Sequence, residues 1–128
     1  LKFGSWVGNT MENFHSGSKT DKIVEAAKEY VRENYGEKLT LAAIASKIGI
    51  SQGYLSSVFK KQTGGNLNDY INQIKIEKAK ELLEKHEYMM YEISDMLGFE
   101  NPYYFSKVFK KLTGITPSEY EMHKAAQN

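Results

Sequence analysis

The sequence predicts an all-α protein: two helix-turn-helix subdomains joined by a long linker helix, about seven helices in total. Three observations support this fold class. Only two prolines occur in 128 residues, apolar residues recur at helical spacing, and a stretch of 20 residues is repeated about 50 positions later. The absence of cysteine excludes a disulfide scaffold and thiolate metal or redox sites. The 41% hydrophobic and 26% charged residues are typical of a globular protein.

The chain divides into four predicted segments. The first holds three glycines and three serines without periodicity, and we interpret it as a linker, the tail of an upstream domain or a cloning remnant. Its Trp6 and Phe14 are candidates to dock on the domain. Because the sequence begins with Leu1, we expect a fragment of a longer protein. The segments are 1–19, a first helix-turn-helix subdomain at 20–66, the linker helix at 67–86, and a second helix-turn-helix subdomain at 87–128.

The first subdomain begins with a helix predicted at about 21–34. A helix of two turns follows Thr40, a good N-cap, and ends at Gly49. Ser51 caps the next helix, which closes at Gly64. Its apolar stripe, which we expect to face the core, consists of Tyr54, Leu55, Val58 and Phe59. A short helix, a turn with glycine and a second helix form a helix-turn-helix, although a single instance occurs in many all-α proteins.

The same arrangement recurs in the second half of the chain. Residues 51–70 and 101–120 are identical at nine of 20 positions, which favours a pseudo-symmetric pair of units. Upstream the offset falls from 50 to 49, so the second turn has one extra residue. In the second copy Asn101 is the N-cap, and Pro102 occupies the first helical position. The identical pairs are Tyr54 and Tyr104, Ser56 and Ser106, Val58 and Val108, Phe59 and Phe109, Lys60 and Lys110, Lys61 and Lys111, Thr63 and Thr113, Gly64 and Gly114, and Tyr70 and Tyr120.

The linker helix is predicted over 67–86, which contains no glycine or proline and many strong helix formers. Its apolar residues form two faces about 140° apart, and we expect each half to pack on the nearer subdomain. The faces are Leu67, Tyr70, Ile71 and Ile74, then Ile76, Ala79, Leu82 and Leu83. At 1.5 Å per residue the helix spans about 30 Å, close to the ~34 Å turn of B-DNA, which lets two recognition helices enter successive major-groove segments.

The charge distribution supports a nucleic-acid partner although the formal net charge is only +1. The stretches 51–61 and 101–111 together carry five lysines and no acid, so the other residues carry a net −4. Positive charge is therefore concentrated on the two predicted recognition helices, at about 52–63 and 102–112. Any one lysine pair could instead form an ordinary solvated surface. The repetition of Phe-Lys-Lys in both units favours phosphate contact over this alternative.

Candidate contact residues lie opposite the apolar stripes. Small or hydrogen-bonding groups suit base edges, whereas lysines and a helix cap suit phosphates. The base-reading candidates are Gln52, Gly53, Ser56, Ser57, Pro102, Tyr103, Ser106 and Lys107. The phosphate candidates are Thr40, Lys60, Lys61, Lys110 and Lys111.

Catalysis is not predicted. The histidines His15, His86 and His123 show no metal-ligand spacing and no paired nucleophile, and we expect them to face solvent. Acidic and basic residues alternate on the linker helix, which indicates surface pairing instead of paired catalytic carboxylates. We therefore expect no enzyme activity, no metal and no cofactor. No apolar run approaches the roughly 18 residues of a membrane span, so no membrane partner is expected.

The chain over about 21–124 resembles the AraC/XylS family of bacterial transcription regulators. The resemblance rests on both units, the linker helix and the unequal turn. The matching stretches are Gly98-Phe99, Tyr104-Phe105-Ser106, Phe109-Lys110-Lys111, Thr113-Gly114 and Thr116-Pro117-Ser118-Glu119-Tyr120, with Ile76, Ala79, Leu82 and Leu83 in the linker helix. The resemblance implies a bilobed DNA-binding domain of seven helices. It also implies base contacts from seven residues: Gly53, Ser56, Ser57, Pro102, Tyr103, Ser106 and Lys107.

The resemblance also implies partners outside these residues. Double-stranded promoter or operator DNA is the main one, and RNA polymerase is a further candidate. A separate regulatory domain is expected elsewhere in the full-length chain. The sequence of the matching stretches is most similar to the subgroup attached to two-component receiver domains. A cytoplasmic location follows. The alternative is a helical protein-protein interaction module that uses the same surfaces.

Two departures from the family pattern bear on recognition. The family commonly has arginine at the position of Lys75 and often on its recognition helices, whereas the only arginine of this chain is Arg32 on the first helix. Lysine cannot make the planar two-pronged contact of arginine to guanine or phosphate, so we expect base reading to rely more on Ser, Gln and Tyr. Gly53 offers no side chain where larger residues often project. Our hypothesis is that the first unit contributes mostly phosphate contacts, whereas Tyr103 and Lys107 specify sequence.

Overall fold

A computed structural model describes residues 18–127, which form seven α-helices and no strand. The prediction of an all-α fold with about seven helices is confirmed. The helices are α1 (Lys19–Glu33), α2 (Leu41–Ile48), α3 (Gln52–Thr63), α4 (Leu67–Lys85), α5 (Met90–Met96), α6 (Pro102–Thr113) and α7 (Pro117–Gln127). The expectations for Trp6, Phe14 and His15 fall outside the described residues.

Local capping signals set the ends of the short helices. The side-chain oxygens of Thr40, Ser51 and Asn101 each accept a hydrogen bond from the backbone N–H three residues later, at 3.0, 3.1 and 2.7 Å. Each oxygen thereby satisfies one of the N–H groups that a helix start leaves without an intrahelical partner. Glycines in the left-handed conformation end α2, α3 and α6. They are Gly49, Gly64 and Gly114.

The described chain forms two compact units, each discontinuous in sequence. The first contains the described residues up to Glu33 together with Thr40–Asn68. The second contains Asn34–Leu39 and the residues from Asp69 onward. The sequence-based division had put 34–39 in the first subdomain and treated the linker helix as a separate spacer. Contacts of 34–39 with α4 and with the end of α5 give the physical reason for the difference.

In the first unit, α1 packs against α2 and α3, and α2 packs against α3. Of the apolar stripe predicted for α3, Leu55, Val58 and Phe59 are buried, whereas Tyr54 is exposed. The buried residues are Ile23, Val24, Ala26, Ala27, Val31, Ile44, Ala45, Leu55, Val58, Phe59 and Leu67.

The second unit is built around an aromatic core that α4, α5 and α6 share. Ring centroids lie 5.3 Å apart for Phe99 and Phe105 and 6.0 Å apart for Phe105 and Phe109. Tyr120 on α7 closes the row, at 5.6 Å from Phe109. Edge and tilted contacts of this kind suit the ring quadrupoles. The buried core consists of Ile76, Ala79, Leu83, Ile93, Leu97, Phe99, Phe105, Val108 and Phe109.

A buried lysine joins three chain segments of the second unit. Lys75 on α4 is only 4% exposed, and its Nζ donates hydrogen bonds to the carbonyl oxygens of Tyr35 and Glu37, each at 2.7 Å, and of Leu97. Its Nζ also lies 5.6 Å from the centre of the Phe99 ring. We call this ammonium and its three carbonyls the Lys75 clasp. It fixes 34–39 and the C-terminal end of α5 onto α4.

The charge state of Lys75 suits the clasp. Burial lowers the pKa of its amine from 10.5 to about 8, and the nearby carboxylate of Glu37 opposes this shift. The side chain is therefore protonated at pH 7. Its three N–H groups match three acceptor carbonyls, so no hydrogen-bonding group of the clasp is left unsatisfied.

Glycines allow the clasped backbones to approach closely. A Cβ atom at Gly36 would lie 2.8 Å from the Met96 carbonyl oxygen, and one at Gly98 would lie 2.6 Å from the Glu37 carbonyl oxygen. Real Cβ contacts are longer than this, so side chains at these two positions would push 34–39 away from the turn after α5. Gly98 also has a φ of +73°, which favours glycine.

Tyr120 fastens α7 to α4. Its hydroxyl donates a hydrogen bond of 2.5 Å to the Glu84 carboxylate, and burial together with this bond raises the pKa of Tyr120 to about 12. Lys124 adds an ion pair with Glu84 at 3.9 Å. The contact therefore combines a ring in the core with a hydrogen bond to a charged acceptor near the surface.

Substitution Tyr120→Phe keeps the ring and removes the hydrogen bond to Glu84. We expect the free energy of unfolding to fall by about 1 kcal/mol, as for a partly solvated hydrogen bond. Urea denaturation followed by circular dichroism measures the change. Tyr91→Phe, at an exposed tyrosine on α5, is the matched control and should alter stability by less than about 0.5 kcal/mol. Equal effects of the two substitutions would contradict the assignment.

Candidate nucleic-acid interface

The two recognition-helix candidates, α3 and α6, bury equivalent positions. Leu55 and Phe105 are fully buried, and the Val-Phe pairs that follow three and four residues later are buried as well. Because these positions fall on one side of each helix, the opposite side faces away from the core. The caps at Ser51 and Asn101 begin both helices at the same point of the repeat. The two helices therefore present corresponding outer faces.

The structure places the base-reading candidates on these outer faces. In α3 all four candidates are exposed: Gln52, Gly53, Ser56 and Ser57. In α6 Pro102, Tyr103 and Lys107 are exposed, whereas Ser106 is half-buried. Tyr103 is the most open aromatic residue of the two helices, with 77% of its surface exposed. Each helix thus brings its own four candidates onto one accessible surface.

The lysine pairs of both helices lie in the last turns and are exposed: Lys60, Lys61, Lys110 and Lys111. Cations near a helix C-terminus also interact favourably with the helix dipole, so these lysines have a stabilising role besides any phosphate contact. Thr40 is exposed too. Its Oγ1 accepts from the Ala43 N–H at 3.0 Å, which leaves the hydroxyl hydrogen available as a donor.

Tyr54 and Tyr104 correct the sequence-based core assignment. Both were expected in the apolar stripes, yet they are 42% and 44% exposed. They lie in the first turn of their helices, where a ring can cover the edge of the core while part of it stays in solvent. Tyr104 illustrates this position, since its ring meets the edge of Phe99 at 6.0 Å. Periodicity misses these tyrosines because it assigns a side of the helix and not a depth.

The fold explains only part of the sequence repeat. Thr63 and Thr113 each donate a hydrogen bond of 2.8 Å from Oγ1 to the carbonyl of the phenylalanine four residues earlier. The glycine after each threonine ends the helix, so the repeated Thr-Gly is a helix terminus. The repeated Val-Phe is core. The identical pairs that packing does not require are the serines at 56 and 106 and the four lysines. All six residues are among the predicted contact residues.

Acidic groups lie close to one end of the α6 surface. A groove of about 430 Å³ between α4 and α6 is lined by Lys111 and Leu112 on one side and by Asp69 and Glu77 on the other. Lys110, in turn, helps to lower the pKa of Glu119, after the larger effect of hydrogen bonds from Thr116. These carboxylates reduce the positive potential around Lys110 and Lys111. Lys107 lines a second groove of about 160 Å³, which shares Asp69, Lys111 and Leu112 with the first.

Other classes of site find no support within residues 18–127. In that range no group of three or more acidic or histidine side chains could hold a metal ion. No helix of the same range is both long and apolar enough to cross a membrane. The charged residues of α4 pair on the surface as the sequence predicted, with Lys80 3.6 Å from Glu77 and Lys78 3.9 Å from Glu81.

A family model described as a helix-turn-helix domain matches residues 44–123. Among curated proteins, the Msm operon regulatory protein of Streptococcus mutans is 34% identical over 113 residues, which cover 88% of this chain and 40% of that protein. The chain therefore spans less than half the length of this relative.

Two solved structures are similar over most of their length. The C-terminal domain of AraT, a response regulator from Geobacillus stearothermophilus, gives a TM-score of 0.78 at 33% identity, with 83% of this chain and 88% of that chain covered. The C-terminal domain of the two-component response regulator yesN from Fusobacterium nucleatum gives 0.72 at 41% identity, with 76% and 95% covered.

Substitution Asn101→Ala removes the oxygen that caps α6. We expect a loss of about 1 kcal/mol in the free energy of unfolding, because the Tyr104 N–H loses its acceptor. Asn101→Asp keeps an acceptor at the helix start and should retain stability. Urea denaturation of the three proteins, with hydrogen exchange of the Tyr104 amide, measures this. An Ala variant as stable as the original protein would show that the cap does not hold α6.

Proposed function

Because the chain belongs to the AraC-type helix-turn-helix family, we propose that it binds a specific double-stranded DNA sequence in bacterial transcription regulation. In this proposal α3 and α6 are the recognition helices and enter successive major-groove segments. Binding requires no cofactor and no catalysis. One monomer covers an asymmetric site of about two helical turns, since the two units are unequal and joined in tandem.

One observation carries the proposal. The side chains that recur in both units without a packing role are an exposed serine in α3, its half-buried counterpart in α6 and four exposed lysines, all on the outer faces of two equivalently capped helices. Hydroxyl groups suit base edges, and ammonium groups suit phosphates. A protein that is nearly neutral overall but carries +5 on these two stretches has a preferred face for a polyanion.

The outer faces of the two helices differ in ways that favour unequal roles. At the start of α3 the candidates are Gln52 and Gly53, whereas α6 offers the open ring of Tyr103 and the ammonium of Lys107. Larger groups reach further into a groove and discriminate more. We therefore keep the hypothesis that α3 contributes mostly phosphate contacts and that Tyr103 and Lys107 specify sequence, and we add Tyr54 and Tyr104 as candidate contacts.

The longer protein is proposed to carry a regulatory part. The curated relative is more than twice as long as the stretch matched here, and the two solved relatives are C-terminal domains of response regulators. A receiver domain is accordingly the regulatory domain that we propose, with RNA polymerase as a further partner at the promoter. We propose that this chain acts in the cytoplasm, where bacterial promoter DNA lies.

Salt dependence separates DNA binding from the alternative, a protein-interaction module on the same surfaces. With about five to eight phosphate contacts, log Kd plotted against log salt should change by about 0.9 per phosphate. The probe is a duplex selected by the chain from a random pool, and fluorescence anisotropy gives Kd at each salt concentration. Lys60→Ala and Lys110→Ala should each lower the slope by about one phosphate, whereas Lys85→Ala, at the end of α4, should not. A flat response, or no selected duplex, would favour the protein-binding module.

Ser57→Ala and Lys107→Ala test the division of labour between α3 and α6. We expect Lys107→Ala to lower discrimination between the selected duplex and single-base variants by about tenfold, the effect of one lost base contact. Ser57→Ala should change discrimination by less than about threefold, on the same physical scale. Anisotropy titrations with both duplex sets provide the values. A larger loss of specificity from Ser57→Ala than from Lys107→Ala would overturn the hypothesis.

A further inference from the structure

The two units differ in one buried residue of the helix that packs beside the helix-turn-helix, which is α1 in the first unit and α4 in the second. Buried positions of α1 and α4 correspond at an offset of 52 residues. The corresponding pairs are Ile23 and Lys75, Val24 and Ile76, Ala27 and Ala79, and Val31 and Leu83. Three pairs are apolar in both units. At the fourth, the first unit has an isoleucine and the second has the ammonium of the Lys75 clasp.

The turns themselves differ in the same way. No described atom lies within 4 Å of a Cβ position at Gly49, in the turn between α2 and α3. At Gly98, in the turn between α5 and α6, the backbone of 34–39 fills that space. The second turn is thus held between Lys75 on one side and the 34–39 backbone on the other, whereas in the first unit the corresponding buried residue is the apolar Ile23 and the space beside Gly49 is open.

A short path joins the clasp to the start of α6. Lys75 holds the Leu97 carbonyl at the end of α5, and its ammonium lies near the Phe99 ring. That ring contacts Tyr104 and Phe105 in the first turn of α6, with centroids at 6.0 and 5.3 Å. Moving the end of α5 therefore moves the N-terminal turn of α6, which carries Pro102 and Tyr103.

From this geometry we infer that Lys75 is a positioning residue for DNA recognition: through the Leu97 carbonyl and Phe99 it orients α6, so that Tyr103 and Lys107 discriminate sequence. The inference rests on the proposed function. Discrimination between bases needs side chains placed within about 0.5 Å, which requires that the surrounding residues hold the helix that carries them. Because the first unit has Ile23 in place of the ammonium, the contacts of α3 should not depend on Lys75.

Three substitutions test the inference. Lys75→Met keeps the apolar stem and removes the donors, whereas Lys75→Arg retains donors for the carbonyls. Gly36→Ala disturbs the clasp from the other side without touching α4 or α6, since its Cβ would strike the Met96 carbonyl and its φ is not in the left-handed region. The controls are Lys80→Met, which removes the same charge from α4, and Gly65→Ala, where a Cβ meets no described atom within 4 Å.

The measurement uses the selected duplex and two derivatives, each with one half of the site replaced. The half read by α6 is the one whose discrimination Lys107→Ala lowers. Lys75→Met and Gly36→Ala should lower discrimination at that half by about tenfold or more, the scale of one mismatched base pair. Discrimination at the other half should stay unchanged, and Lys75→Arg should restore most of the loss. The two controls should behave as the original chain.

A second measurement needs no DNA and remains informative if Lys75→Met does not fold. Hydrogen exchange in Gly36→Ala should accelerate at the Gly98 and Phe99 amides, which bond to Asp95 and Ser94 carbonyls. The corresponding Gly49 and Ile50 amides of the first unit should keep their rates. Equal acceleration in both turns, or none in either, would overturn the inference.

The outcomes also separate the inference from the function. Failure of the original chain to select any duplex would overturn the proposed function itself. A selected duplex with equal loss at both halves in Lys75→Met and Gly36→Ala, or a loss that Lys80→Met reproduces, would overturn only the positioning role of Lys75.

Discussion

The second unit depends on one buried ammonium group. Lys75 takes the place of an apolar core residue, and burial lowers the pKa of its amine because the charged form loses part of its solvation. Three carbonyls compensate, from two residues of 34–39 and from the end of α5. Removal of the ammonium would leave those carbonyls without this donor, and an unsatisfied buried acceptor costs about 1–3 kcal/mol. The clasp thus makes 34–39 part of a unit from which it is distant in sequence.

The repeat shares its local chemistry and differs in its long-range contacts. Both recognition helices begin at a polar N-cap and end at Thr-Gly, and both bury the same three positions. Those features need only neighbouring residues, so both copies of the sequence retain them. What surrounds each turn is different: Ile23 stands in the first unit where Lys75 stands in the second, and the space beside Gly49 is open whereas the 34–39 backbone fills it at Gly98. Two units with similar sequences therefore support their recognition helices differently.

The near-neutral net charge hides an uneven distribution of charge along the chain. Five lysines lie on the stretches 51–61 and 101–111, and the structure leaves all five exposed. Carboxylates of α4 border the groove beside Lys111, so the positive surface has an acidic margin in the second unit. A margin of this sign weakens non-specific attraction to phosphate and restricts the orientations in which a polyanion fits. Modest non-specific affinity with a strong directional preference is the consequence for the proposed function.

The sequence by itself determined the all-α class, helix ends within about two residues and the outer faces of α3 and α6, because periodicity and caps are local properties of the chain. All thirteen candidate contact residues chosen from the sequence lie at exposed or half-buried positions in the structure. Only the tertiary structure decided the half-exposed depth of Tyr54 and Tyr104, the burial of Lys75 and the membership of 34–39 in the second unit. Lys75 stands in a helix rich in charged residues, and no local pattern separates it from surface lysines such as Lys78 and Lys80. Its burial follows from a backbone segment about 40 residues earlier in the chain, and such a contact exists only once the chain has folded.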